Sequence, residues 1–471
     1  MRRLILVIAL VALSGCATLA PERERPDMPV PEAWNAPAQT GPLAGVDELG
    51  WRDVFPDPAL QKLISTALQQ NRSLRQAVLA MDKARAQFGI ARADRIPNVD
   101  ASGQNSNQRL PADLRGGIEG IDRQWNVGLG ISSFELDFFG RVKSLEDSAL
   151  ESYLATEEAR RAAHISLVSQ VARGYLTLAG DREHLSLARE TLESRQATLD
   201  LTMAQLAHGM STELARHQAE EVVAVAQAEV ARLTAQVAMD ENALAVLVGV
   251  PGPELGLPAQ AIDDVKLRTS VKPGLPSELL TRRPDILEAE HRLWAAGAEI
   301  GAARAAFFPR IGLTTTAGLA SLELTDLFDS AQRVWTFVPS ITLPIFDAGR
   351  NKAKLEAAKA EQQIRIAQYE ETIQNAFREV SDALAKNQGY EGQVQAQARR
   401  AASAEKSRLL VDQRFSAGLE SAFAVHDAER TLFTARQNLL DARLARKLAT
   451  VELFTALGGG WQENGLQAST Q

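Results

Sequence analysis

The sequence lacks most features of disulfide-bonded, metal-binding and nucleic-acid-binding proteins. Cys16 is the one cysteine in 471 residues, which excludes an intramolecular disulfide and a cysteine-based metal site. Aromatic residues make up only 5% of the chain, and 59 acidic against 51 basic residues leave a net charge of −8. A nucleic-acid-binding protein of this size normally carries a basic excess, so the composition argues against that class.

Motifs of catalysis are missing as well. The sequence contains no glycine-rich phosphate loop, no nucleophile elbow and no cluster that resembles a catalytic triad. We therefore predict that the protein is not an enzyme and that it holds neither a cofactor nor a metal ion. The six histidines show no metal-ligand spacing on one helical face: His164, His184, His208, His217, His291 and His426.

The N-terminus predicts export from the cytoplasm. Arg2 and Arg3 precede the apolar run Leu4–Leu13, a pattern typical of a secretory signal peptide and too short for a membrane-spanning helix. The segment Leu13–Cys16 resembles a bacterial lipobox, which implies a lipidated Cys16 as the mature N-terminus. A plain signal peptide with an incidental cysteine is the alternative. By resemblance to lipoprotein sorting rules, Ala17 points to the outer membrane.

The chain after the lipobox reads as a proline-rich strap followed by a tandem duplication. Proline fixes φ and removes an amide donor, so the strap is expected to be extended. Gly89–Ala93 recurs as Gly301–Ala305, and a second, constant offset relates Gly209 to Gly418 and Gly249 to Gly458. The predicted divisions are a signal peptide 1–15, a strap 16–56, a first repeat 57–249, a linker 250–280, a second repeat 281–458 and a tail 459–471.

Both repeats predict the same series of helices. Capping residues and prolines mark the starts, whereas glycine and proline mark the ends. In the first repeat we expect a helix from Pro58, capped by Asp57, toward Asp94, then a long helix from Arg141 to Ala207. A break at Gly209 and a cap at Thr212 precede a helix to Val248. The second repeat predicts helices from Pro284 to a stop at Pro309, from Arg350 to a break at Gly418, and onward to Leu457.

Apolar residues seven positions apart predict coiled-coil packing of the long helices. By itself this pattern fits a soluble periplasmic coiled coil equally well. The two series are Val171, Leu178, Leu185, Leu192, Leu199 and Leu206, and Val223, Val230, Val237 and Leu244.

Extended segments with alternating side chains favour a membrane protein. Each pairs an apolar face with a face of small or polar residues over about ten positions, as in a transmembrane β-strand. The first segment, Val99–Asn107, has the weakest apolar face. Four strands cannot close a barrel and a bilayer tolerates no open sheet edge, so spanning strands require an oligomer. The other apolar series are Trp125, Val127, Leu129 and Ile131; Ile311, Leu313, Thr315, Ala317 and Leu319; and Trp335, Phe337, Pro339, Ile341, Leu343 and Ile345.

Several motifs resemble those of one family, the TolC/OprM-like outer membrane factors of the NodT subfamily. Gly274–Ile286, which contains Arg282, Arg283, Pro284 and Asp285, resembles the inter-repeat signature of these proteins. The resemblance covers essentially the whole mature chain. It implies a mainly α-helical protein with a membrane β-barrel, in which three chains with four strands each form a twelve-stranded barrel on a periplasmic α-barrel of long helices.

The same resemblance implies partners and sites. Partners are a periplasmic adaptor and an inner-membrane pump, usually of the RND type, and the function is passive export of drugs and toxic compounds. Arg414–Gly418 resembles the family's tip motif, so Arg414, Gly209 and Gly418 are expected at adaptor-docking tips. Asp427 matches one acidic gate position, and we expect Phe415 to close the gate. Ala424 stands at the second acidic position, which argues against a double acidic ring.

Two other functions fit parts of the sequence. A periplasmic, lipid-anchored coiled coil with a structural role would leave the polar segments 110–120 and 321–330 inside the cell. A duct for type I protein secretion would share the fold. The sequence does not name the exported substrate.

Overall fold

A computed structural model describes residues 18–26, 31, 44–45, 49–111, 113, 120–268, 271–272 and 278–461. The predicted signal peptide, Cys16, most of the strap and the start of the family signature lie outside these residues. Nine helices and six strands are described. The helices are α1 (Trp51–Val54), α2 (Pro58–Gln70), α3 (Arg72–Ala93), α4 (Arg141–Ala207), α5 (Glu213–Val248), α6 (Leu279–Arg282), α7 (Pro284–Ala305), α8 (Arg350–Ser416) and α9 (Ala422–Ala456); the strands are β1 (Ala44–Gly45), β2 (Asp100–Leu110), β3 (Gly120–Leu136), β4 (Val271–Lys272), β5 (Arg310–Ser321) and β6 (Arg333–Thr342).

The chain divides into two compact units. The first contains residues 1–27, 80–157 and 288–370, and the second contains residues 28–79, 158–287 and 371–471. The first unit holds an antiparallel sheet in the order β2-β3-β5-β6, which joins two strands from each repeat. The second unit holds the greater part of α4 and α8, all of α5 and α9, and a short parallel pairing of β1 with β4.

The long helices begin and end close to their predicted positions because local signals specify both ends. The Asp57 carboxylate accepts hydrogen bonds from the amides of Ala59 and Leu60, at 3.0 Å each, and caps α2. Thr212 caps α5 in the same way, and Gly249 ends that helix at a φ of 82°. The prediction of a helix from about Arg141 to Ala207 is confirmed.

The predicted seven-residue spacing corresponds to real contacts in the second unit. Leu185 and Ala188 of α4 pack with Leu233 of α5, and Val230 and Val237 lie against them. Within the described residues, α5 is the one helix long and apolar enough to cross a membrane by length and composition. Some of its apolar side chains, such as Val230, Leu233 and Val237, pack on α4 as expected for a coiled-coil pair, whereas Val225, Met239 and Val246 are exposed.

Two predicted segments are wrong in their bounds. The helix expected from Pro58 toward Asp94 is interrupted at Asn71, whose side chain accepts from the Leu74 amide and donates to the carbonyl of Leu247, both at 2.8 Å. Asn71 therefore caps a new helix and ties it to the end of α5. The last strand ends at Thr342, so Leu343 and Ile345 lie beyond it, because Thr342 pairs with Arg310, the first residue of its partner β5.

Candidate functional site

One face of the four-stranded sheet is apolar across three strands. Directly paired residues of an antiparallel sheet point to the same face, so the pairing register defines each row of side chains. One row contains Leu129 and its partner Ala317, with Trp335 opposite on β6. The next apolar rows pair Ile131 with Thr315 and Phe337; Phe134 with Leu313 and Pro339; and Leu136 with Ile311 and Ile341.

A β-bulge keeps this apolar face continuous. Apolar residues of β3 occupy odd positions up to Ile131 and even positions from Phe134 onward. The pairing with β5 shifts between these two residues, and Ser133 adopts a positive φ of 61°. An extra residue in one strand reverses which positions face a given side. The bulge therefore returns Phe134 and Leu136 to the face that Ile131 occupies.

The opposite face of the sheet is made mostly of small or polar residues, with Val334 and Val338 of β6 as exceptions, and both sheet edges are open. Gly128 pairs with Gly318, where a Cβ on Gly318 would lie 2.2 Å from the Val127 carbonyl oxygen. The residues of β6 are exposed, including Trp335 and Ile341. Among the described residues, β2 and β6 each pair with one strand only. This unit thus presents apolar surface and unpaired backbone groups together.

The segment between β5 and β6 differs from the predicted polar loop. Leu322, Leu324 and Phe328 are exposed, whereas Leu327 is buried. Ser321 is only 8% exposed, and its hydroxyl accepts a hydrogen bond from the Glu323 amide at 3.2 Å. The segment therefore displays apolar side chains, and Ser321 is not one of its accessible positions.

The turns at the ends of the long helix pairs have the same geometry in both repeats. Gly209 and Gly418 adopt positive φ values of 70° and 72°. The Met210 amide donates to the Gln205 carbonyl, and the Leu419 amide donates to the Arg414 carbonyl, each at 2.8 Å. These six-residue loops are Schellman motifs, which satisfy the last helical carbonyls and favour glycine.

The acidic residue predicted for the gate is paired with a cation one turn away. The Arg430 Nη2 donates to Asp427 Oδ1 at 2.6 Å, and the two side chains are 73% and 49% exposed. Phe415 is half-buried. Arg414 makes an ion pair with Glu420 at 3.3 Å across the turn. Asp427 in this chain is therefore not an isolated negative charge.

Phe423 is a functional candidate that the sequence reasoning missed. Its ring is 71% exposed, and it lines a groove of about 910 Å³ together with Asp427 and Arg430. The groove runs between α5 and α9 over α4, whereas Phe415 and Arg414 are not among its lining residues. Phe423 precedes Asp427 by four residues, and this helical spacing was a signal available in the sequence.

Two carboxyl groups meet elsewhere in the second unit. Burial and a hydrogen bond with Asp240 raise the pKa of Asp181 to about 7. Gln236 donates to Asp240 Oδ1 at 2.9 Å, while Asp240 Oδ2 is buried without a hydrogen-bond partner. Asp181 therefore holds its proton more tightly than an ordinary aspartic acid does, because burial and the neighbouring Asp240 carboxylate both disfavour its charged form.

The family-signature residues form a buried anchor rather than a solvated turn. Arg283 is 8% exposed and binds three groups: Asp285, Glu379 and the carbonyl of Ala456. Pro284 is the first residue of α7 and Asp285 lies in its first turn, as predicted. Arg282 pairs with Glu278 at 2.9 Å within one helical turn. Arg283 thus joins the start of α7 to α8 and to the end of α9.

No group of three or more potential metal ligands occurs in the part of the chain that the structure describes. Of the histidines, His291 contacts Glu151 at 2.7 Å and His184 contacts Asp441 at 3.1 Å. Each of these contacts is a hydrogen bond between side chains of two helices.

Comparisons of the sequence and the structure with known proteins all find the same protein family. The sequence profile described as "outer membrane efflux protein" matches residues 63–250 and 275–459. The chain is 44% identical to the outer membrane protein OprJ of Pseudomonas aeruginosa over 456 residues, which cover 96% of this chain and 95% of OprJ. It is 43% identical to the cation efflux system protein CusC of Escherichia coli K12, over 96% of this chain and 97% of CusC.

A solved structure gives the same result for the fold. The open state of the MtrE outer membrane channel of Neisseria gonorrhoeae superposes with a TM-score of 0.88 at 39% identity. The similarity covers 96% of this chain and 100% of the MtrE chain. The apolar sheet and the long helix pairs described above therefore occur together in a known channel protein.

Proposed function

Because the chain belongs to the outer membrane efflux protein family, we propose that it forms the outer-membrane duct of a tripartite efflux pump as a homotrimer. Its mainly helical fold with a four-stranded sheet is that of the family's channels. Three copies would supply twelve strands to one barrel and their long helices to one periplasmic α-barrel. A periplasmic adaptor and an inner-membrane RND pump would deliver small molecules to this duct.

The observation that carries this proposal is the combination of an apolar sheet face with open edges. A bilayer accepts a β-sheet only when every backbone group is paired, so spanning strands must belong to a closed barrel. Edges at β2 and β6 would pair between copies, and the rows that include Trp335 and Ile341 would face lipid. A periplasmic coiled coil that never enters the membrane would not require an apolar sheet face of this kind.

The helix-pair turns are the proposed docking tips for the adaptor. Gly209 and Gly418 allow tight turns there, and Arg414 lies beside the second turn. We place the gate at Asp427, with Phe415 closing it by apolar contact. Three symmetry-related Asp427–Arg430 pairs would form a ring whose negative charge is partly balanced, which favours cations less strongly than a bare acidic ring.

The proposed mature protein starts at Cys16, lipidated and held in the outer membrane, and is a passive duct without enzymatic activity. Residues 16–56 serve as the strap, residues 57–249 and 281–458 as repeats, and residues 250–280 as their linker. CusC is named for cation efflux, whereas the name of OprJ specifies no substrate. We propose that the pump, rather than the duct, chooses the substrate. The family match favours efflux of small molecules over type I protein secretion.

Surface labelling of intact cells tests whether the strands cross the outer membrane. Glu323→Cys is the informative variant, because Glu323 is exposed whereas Ser321 is buried. A membrane-impermeant maleimide should label Glu323→Cys in whole cells, and Ala417→Cys at the proposed periplasmic tip only after lysis. Labelling of both variants only after lysis would contradict the channel.

Single-channel recording of the purified protein tests the gate. Asp427→Ala should raise conductance or reduce cation preference, because it removes the negative partner and leaves Arg430 unpaired. Glu420→Ala, which breaks the neighbouring Arg414 pair instead, is the matched control. Identical conductance and ion preference for Asp427→Ala and the unaltered protein would exclude the gate role of Asp427.

A further inference from the structure

The first described residues of the chain, 18–26, lie in a cleft between α4 and α7 of the first unit. The Thr18 hydroxyl is hydrogen-bonded to the Ser144 hydroxyl of α4 at 2.9 Å. On the other side, Arg304 of α7 donates to the Leu19 carbonyl at 2.8 Å. The segment thus contacts one helix from each repeat, and we call the space it fills the α4–α7 cleft.

Two arginines of this segment bind two buried carboxylates, one on each helix. Arg23 makes an ion pair with Glu151 of α4 at 2.7 Å, and Arg25 binds Glu290 of α7 through both carboxylate oxygens. Glu151 is 3% exposed and Glu290 is 6% exposed. Side chains two residues apart in an extended chain point to the same side, so the spacing of Arg23 and Arg25 matches the two carboxylates.

The backbone of the segment also has a fitted place. A Cβ on Gly301 of α7 would lie 2.8 Å from the Ala20 amide nitrogen and 2.7 Å from the Ser144 hydroxyl. At Gly297, one helical turn earlier, the nearest atom of the segment is the Pro21 ring, at 3.9 Å. Small residues on one face of α7 therefore leave the room that the segment occupies, and Pro21 and Pro26 favour its extended form.

We propose that the α4–α7 cleft is a binding site for an extended peptide with two arginines two residues apart, and that the chain fills this site with its own N-terminal segment. Glu151 and Glu290 recognise the guanidinium groups, while the glycine face of α7 accepts the peptide backbone. Binding in this way bridges the two repeats at a position just downstream of the predicted anchor.

The charges explain why arginine is the recognised side chain. A buried carboxylate is costly unless a cation or several hydrogen bonds compensate it. Burial raises the pKa of Glu151, but hydrogen bonds from His291 and Arg23 outweigh that effect and hold its pKa below the ordinary value. Arginine offers a planar fork that binds a carboxylate through two parallel donors, which lysine does not.

The test uses the full-length purified protein with a reporter cysteine in the cleft. Gly297 is buried, with Pro21 of the segment and the Gln362 side chain next to it, so a maleimide should react slowly with Gly297→Cys while the cleft is filled. Adding Arg23→Ala and Arg25→Ala should accelerate labelling at least about tenfold, since the two carboxylates lose their partners. Adding Glu22→Ala and Glu24→Ala, two exposed neighbours, is the matched control and should leave the rate unchanged. The parent without Gly297→Cys gives the background from Cys16.

A peptide added in solution then tests binding itself. A synthetic peptide of residues 17–27 should restore slow labelling in the Arg23→Ala, Arg25→Ala protein, and the same peptide with both arginines changed to alanine should not. Glu151→Gln with Glu290→Gln should abolish the protection. Unchanged labelling after loss of both arginines, or equal protection by the two peptides, would overturn the proposal. If the double variant fails to fold, labelling of the Arg25→Ala protein is measured with the same two peptides, and equal protection by both peptides would again overturn the proposal.

Discussion

Replacing Arg283 by alanine should destabilise the second unit by breaking an anchor that three helices share. The guanidinium donates through Nε and Nη2 to Asp285 at 3.0 and 2.6 Å. It also donates through Nη1 to Glu379 at 2.9 Å and to the Ala456 carbonyl at 3.0 Å. Its stem packs near Gly458, where an added Cβ would lie 3.2 Å from the arginine Cγ. Alanine removes all of these contacts.

The expected loss of unfolding free energy depends on how exposed each hydrogen-bond partner of Arg283 is. The Ala456 carbonyl loses its bond to a buried donor, and a buried acceptor left unpaired costs about 1–3 kcal/mol. The Asp285 and Glu379 side chains are 38% and 43% exposed, so water replaces part of the lost interaction and each contributes no more than about 1 kcal/mol. We expect the free energy of unfolding to fall by about 3 kcal/mol. Arg283→Lys should recover part of this, because one donor remains but the fork is lost.

Guanidinium unfolding of the purified protein, followed by the circular dichroism of its helices, measures this loss. Arg378→Ala is a suitable control, because Arg378 forms a surface pair with Asp382 on the same helix as Glu379 and should cost no more than about 0.5 kcal/mol. If Arg283→Ala and Arg378→Ala unfold at the same denaturant concentration, the three-helix anchor does not contribute to stability and the reasoning is wrong.

Two further predictions concern the second unit. The folded-state pKa of Asp181 is raised from 3.8 to about 7, so folding stability should fall as the pH rises between these values. Asp240→Asn keeps a hydrogen bond but removes one charge. This variant should therefore flatten the pH dependence in thermal unfolding measured across the same range. Gly249→Ala should be at least about 1 kcal/mol more destabilising than Gly256→Ala in denaturant unfolding. Both glycines have a positive φ, but only at Gly249 would an added Cβ lie against a carbonyl oxygen, that of Gln70 at 2.6 Å.

Helix ends were predictable where the signal lies in the neighbouring residues. Capping by Asp57 and Thr212, and the left-handed glycines at the turns, depend on a few adjacent positions. The interruption at Asn71 had a local signal as well, because Asn is a favoured cap and accepts from the Leu74 amide; only its bond to a carbonyl 176 residues away on α5 was not predictable. The end of β6 was a different error, because it is set by its partner β5, which begins at Arg310, and the alternating pattern of β6 alone does not show this.

Contacts between distant segments account for most of what sequence reasoning missed. The signature residue Arg283 was recognised by resemblance, but its burial depends on Glu379 and Ala456 from later helices. Arg23 and Arg25 gave no pattern of their own, because their carboxylate partners lie on α4 and α7. Phe423 lies one turn before Asp427 and was predictable from that spacing, although it lies outside the segment that resembles the family's tip motif.

The sheet shows why a weak strand pattern can still mark a real strand. β2 has an apolar face that fades at Gly103 and Asn105, yet it pairs with β3 without interruption from Asp100 to Leu110. Pairing of the backbone, rather than the side chains, keeps β2 in the sheet. The same requirement applies to its free edge: in a bilayer the unpaired groups of β2 and β6 would each cost several kcal/mol. One chain therefore cannot span the membrane by itself, and the apolar rows of β3, β5 and β6 are stable in lipid only when further copies pair with both edges.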